Sequence, residues 1–73
     1  MAETKVLSEI NGSVWKIVVK VGDSVEEDQP LAYVESMKME IPVLATEGGV
    51  VTEIFVAEGE PIAEGAPILA IRS

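Results

Sequence analysis

The sequence predicts an all-β domain made of two similar half-sheets packed face to face about an approximate two-fold axis. Three observations lead there. Compared with itself at an offset of 37 residues, the chain lays "GSVWKIVVKVGDSVEEDQPLAYVES" (12–36) over "GVVTEIFVAEGEPIAEGAPILAIRS" (49–73) without a gap. Eight pairs are identical, among them Gly12/Gly49, Ile17/Ile54, Val19/Val56, Gly22/Gly59 and Pro30/Pro67, where chance would give roughly two. Matched glycines and prolines mark matched turns, which distinguishes a true repeat from a general likeness among small β domains. Finally, β-branched residues recur in short runs, and no ten-residue stretch joins helical periodicity to proper caps.

Taken in order, Thr4–Leu7 is a short first strand. Ser13–Val21 is rich in β-branched residues, and simple alternation puts Trp15, Ile17, Val19 and Val21 on one face with Lys16 and Lys20 on the other,. Gly22-Asp23 ends it. Pro30 then opens a strand through Leu31, Tyr33 and Glu35, at a position that tolerates a missing N–H,. Met39–Ala45 follows, with Pro42 expected to break the ladder just past a reversal,. Val50–Val56, Gly59 and Pro67–Ile71 repeat the plan.

Seventy-three residues make one domain, 1–73, with no room for a second core,. Nearly half are hydrophobic and only three aromatic, so the core is Val, Ile, Leu and Ala. Absence of cysteine removes disulfides, thiolate catalysis and cysteine zinc sites, and fits a cytoplasmic location,. Absence of histidine removes the usual acid–base group at neutral pH,. The acids are scattered, with no metal-ligand spacing, and Gly48-Gly49 matches neither a P-loop nor a dinucleotide fingerprint,. A non-catalytic role is expected, with neither catalytic nor metal-binding residues. The formal charge of -8 argues against nucleic acid and anionic membrane as partners,.

One stretch, "VESMKMEIPV" (34–43), breaks a local rule. The chain must reverse inside it, yet nothing between Val34 and Ile41 is Gly, Pro, Asn or Asp. A two-residue hairpin favours φ > 0 at its centre, which Met37 and Lys38 supply poorly. Strain without local benefit points to function. The first repeat ends at Ser36 and the second at Ser73. The two-fold therefore places Lys38 on a tight hairpin at one end of the domain, with both termini at the other.

Met37-Lys38-Met39, on a hairpin between two similar half-sheets, resembles the attachment site of biotinyl domains, the carrier modules of biotin-dependent carboxylases. The resemblance runs from Val6 to Ile71 and includes the "GDSVEEDQPL" connector and the trailing "EGEPIAEGAPIL". The family commonly has Ala-Met-Lys-Met, and here Ser36 stands for the alanine. The resemblance implies a flattened β-barrel, or barrel-sandwich hybrid, of two four-stranded half-sheets. Gly22 to Pro30 is too short for the protruding thumb of some bacterial members, so the thumbless type is expected. A free-standing carrier that is monomeric when isolated is expected, with an excised module of a larger carboxylase as the alternative.

The same resemblance implies covalent biotin on Lys38, attached by biotin protein ligase, with a biotin carboxylase and a carboxyltransferase as later partners. A lysine amine at neutral pH is almost wholly protonated and a poor nucleophile, so the ligase must supply the activation. Met37 and Met39 would form a flexible recognition patch. Glu35 is read by ligases in the family, although a plain solubilising charge explains it equally well. The other acid often found in the family, just after the position of Ile62, is replaced here by Ala63, with Glu64 next. The alternative cofactor is lipoate, in a 2-oxo acid dehydrogenase system, but its usual Asp-Lys-Ala differs from this chain on both sides of Lys38. An unmodified interaction module is the third possibility. Many acyl substrates are served by similar carriers, and nothing in the sequence selects one.

Overall fold

The computed structural model describes residues 3–73. Eight strands follow one another: β1 (Glu3–Leu7), β2 (Gly12–Ile17), β3 (Ser24–Val25), β4 (Pro30–Ser36), β5 (Met39–Leu44), β6 (Gly49–Ile54), β7 (Pro61–Ile62) and β8 (Pro67–Arg72). They form two four-stranded antiparallel sheets, ordered β1-β8-β6-β3 and β5-β4-β2-β7. Adding 37 to a residue number carries β1 onto β5, β2 onto β6, β3 onto β7, and β4 onto β8. The repeat thus extends beyond its recognisable sequence to the first and fifth strands.

The correspondence holds pair by pair. Glu3↔Arg72, Thr4↔Ile71 and Lys5↔Ala70 in β1–β8 match Glu40↔Glu35, Ile41↔Val34 and Pro42↔Tyr33 in β5–β4. Turn hydrogen bonds repeat as well. The Ser8 N–H donates to the Ala66 carbonyl and the Ala45 N–H to the Gln29 carbonyl, both at 2.9 Å. The Lys20 N–H donates to Asp23 Oδ2 (2.8 Å), as the Ala57 N–H does to Glu60 Oε1 (2.9 Å). Two sequences sharing about a third of their residues specify one backbone because the shared residues sit where its geometry is most demanding. Gly12 and Gly49 are such a pair. A Cβ there would overlap the carbonyl oxygen of Glu35 or Arg72, and would crowd Val34 Cγ1 or Ile71 Cγ2.

The sheets meet in one apolar layer. Val14, Leu31 and Val34 from one sheet pack with Val6, Val51, Ile68 and Ile71 from the other, all at most 2% exposed. Burying one such Val, Leu or Ile contributes about 1.5–3 kcal/mol. A 73-residue chain needs most of them,.

Three expectations are corrected. The long strand over Ser13–Val21 ends at Ile17. Within it, Trp15 does not share a core face with Val19. The register slips between Val14 and Lys16, leaving Trp15 as the extra residue of a β-bulge. The bulge resets the alternation, so Val14 is buried while Trp15 is 48% exposed; Val21, past the end of β2, is 60% exposed. Lastly, the ladder does not break at Pro42, which pairs with Tyr33; pairing continues to Leu44, with a register shift at Leu31. β5 is an edge strand, so the N–H that proline lacks can be one of those with no partner strand to meet,.

Candidate functional site

The β4–β5 ladder closes at Ser36↔Met39, leaving Met37 and Lys38 as the reversal itself. Their φ angles are 52° and 65°, both left-handed. This two-residue reversal requires positive φ at both centres, where Asn-Gly is the usual choice. Among the described residues the other non-glycine at positive φ is Asp28, and its counterpart is a glycine, Gly65. Asp visits this region at little cost. Met and Lys do not, so the tip stores on the order of 1 kcal/mol per residue.

That cost places three long side chains in solvent. Met37 is 93% and Met39 63% exposed, so neither serves the core. Lys38 between them is exposed, and among the described residues no hydrogen bond or ion pair holds its Nζ. Two thioethers flank a free ammonium on a short, fixed stalk. The stalk is fixed from below, because Ser13 pairs with Glu35 and Gly12 lies tight against the Glu35 carbonyl.

Glu35 is exposed one pair below the tip, directly opposite Glu40. Like charges facing each other across a ladder are destabilising. Glu40 flanks the tip in sequence, and the hairpin register implied by Met37-Lys38 at the centre makes it the partner of Glu35. Trp15 was placed on the wrong face. The signal that could have corrected it was its repeat partner, the polar Thr52, which a core position would not use.

Chemically, an exposed primary amine of this kind can accept an acyl group. Among the described residues, no hydrogen-bonded base is positioned to deprotonate that amine, and no element covers it to exclude water.

Comparison with known proteins identifies the family. The biotin/lipoyl family model, described as "Biotin-requiring enzyme", matches residues 4–71. The chain is 45% identical over 71 residues to the "Biotinylated protein TB7.3 homolog" of Mycobacterium leprae, covering 97% of this chain and 99% of that protein. It is 44% identical over 62 residues to the "Biotin/lipoyl attachment protein" of Bacillus subtilis, covering 85% of each. Among solved structures, the urea carboxylase of Kluyveromyces lactis superposes with a TM-score of 0.92 at 33% identity, over 99% of this chain but 6% of that one.

Proposed function

The chain belongs to the biotin/lipoyl attachment family, and from that premise we propose that it carries biotin as an amide on Lys38 and presents it to the enzymes of a biotin-dependent carboxylase. The observation that carries this reading is the left-handed Met37-Lys38 reversal, where a strained backbone holds an unpartnered amine at the tip. The residues present fit the group. An amide needs only one reachable amine, and Lys38 is exposed, with no element folded over it.

Attachment follows from simple chemistry once a partner activates it. Biotin protein ligase is the partner this requires, because the tip has no base of its own. Deprotonated there, Lys38 Nζ attacks the acyl carbon of biotinyl-adenylate. The C–N bond forms, the C–O bond to AMP breaks, and the amine's proton goes to solvent. Met37 and Met39 give the ligase flexible apolar contacts that adapt to its surface. Once bound, biotin supplies a ring nitrogen that accepts CO2 and releases it again.

The domain's contribution to later steps is presentation. A biotin carboxylase and a carboxyltransferase must each meet the same tip, and tethering raises the effective concentration at each, up to the millimolar range. Ordering a loose peptide against an enzyme costs roughly 1–2 kcal/mol per residue fixed. Here the hairpin is already ordered by β2 and β4, so that cost falls on folding rather than on each encounter. Isolated, the domain is a monomer, because a charge of -8 opposes self-association,.

The test is incubation with biotin protein ligase, ATP and biotin, followed by intact mass and peptide mapping. One biotin mass on Lys38, and none on a K38R variant, is the expected outcome. Labelling at Lys5, Lys16 or Lys20 would refute the assignment.

A further inference from the structure

The two outer sheet faces share a backbone and differ in side chains, so each is a control for the other. On the face of β1, β8 and β6, polar groups satisfy one another. Thr52 Oγ1 donates to Glu3 Oε2 (2.7 Å), Glu3 stands opposite Arg72, and Lys5 Nζ lies 5.7 Å from the Phe55 ring centroid, covering it. On the face of β5, β4 and β2, the counterparts of Thr52, Ala70, Lys5 and Arg72 are Trp15, Tyr33, Pro42 and Glu35. Trp15 meets Tyr33 edge-on (6.2 Å between centroids, 83°), yet remains 48% exposed. Tyr33 pairs with the exposed Pro42, two residues below the opposed Glu35 and Glu40. Lys16 lies across from Tyr33 on the other side. The fold does not require an aromatic pair here, since the same bulge on the other sheet is made by Thr52 beside Ala70.

We propose that the outer face of the lysine-bearing sheet, centred on Trp15, Tyr33 and Pro42 and bordered by Glu35 and Glu40, is a docking surface for the carboxylating enzyme that receives the Lys38 tip. The inference rests on the carrier reading. The face is continuous with the tip, because Tyr33 lies about 10 Å along β4 from Ser36 at ~3.4 Å per residue. A body large enough to enclose Lys38 therefore reaches it. The occupant presents an apolar patch to the aromatic pair and cationic groups to the glutamates, whose mutual repulsion a cation would relieve. A second copy of this chain would bring its own glutamates to the same place, and the net charge of -8 opposes it.

Trp15 is the chain's single tryptophan, which makes the test direct. Protein carrying 5-fluorotryptophan and methyl-labelled methionine, biotinylated in full, is titrated with a purified biotin carboxylase. The expected result is saturable change at both the Trp15 fluorine and the Met37 and Met39 methyls, with one affinity. W15T/Y33A, which installs the residues the other half uses at these positions, should fold and keep the methyl response with affinity weakened about tenfold. Its KM as carboxylase substrate should rise similarly while kcat holds. Methyl changes without a Trp15 response, or equal affinity for W15T/Y33A, overturn the docking face and leave the carrier reading standing. Absence of both responses overturns the carrier reading, and the docking face with it.

Discussion

At one end of the domain Glu35 faces Glu40; at the other, in the same register, Arg72 faces Glu3. The first end is closed by Met37 and Lys38 at positive φ, whereas the second is where the described chain starts and stops. Backbone hydrogen bonds, bulges and close approaches are otherwise matched between the halves. The comparison separates two kinds of requirement. What both ends share is what the fold needs. What only the reversal end has, namely a strained tip and opposed like charges, costs stability and serves no need of the fold,.

The largest effect should come from the shared plan. G12A and G49A each force a methyl group onto a backbone carbonyl, and each should cost about 2–3 kcal/mol, or roughly 10 °C or more in Tm for a domain this small. Thermal unfolding by circular dichroism measures both. The comparison sharpens in a second readout. G12A presses on Glu35, under the tip, and should slow biotinylation at temperatures where the variant is still folded. G49A presses on Arg72 at the far end and should leave the rate near that of the parent. Equal slowing would mean that the hairpin is not held from below.

Next comes the tip. M37N/K38G installs the residues that a reversal with positive φ at both centres prefers. It should gain about 1–2 kcal/mol, read as a Tm higher by ~5–10 °C, while abolishing attachment. A Tm that stays level would show that the tip is not strained.

E35R is the smallest change and converts the tip-side pair to the arrangement found at Arg72 and Glu3. A gain of a few tenths of a kcal/mol is expected from opposed unlike charges. The more informative measurement is carboxylase affinity as salt is raised. The native domain should lose affinity with salt, and E35R should start weaker and respond less. Parallel salt curves would remove Glu35 from the contact.

Much of this was legible in one dimension. The repeat could be read because glycine and proline occupy positions whose backbone geometry admits few other residues, so Gly12/Gly49, Gly22/Gly59 and Pro30/Pro67 survive where side chains differ,. Lys38 stood out because a reversal without turn residues breaks a local rule. From these, the all-β class, the two-fold and the tip followed before any coordinates. Tertiary structure alone decided which way the strands face. Alternation assigns sides only while each residue meets one partner, and a bulge is a count taken over two strands at once. The extra residue at Trp15 is therefore invisible within β2 and defined only against β4, and it turns Trp15 away from the face it was expected to share with Val19 and leaves it half exposed. The opposition of Glu35 and Glu40, and the contrast with Arg72 and Glu3, likewise depend on register, which exists only once the strands have paired.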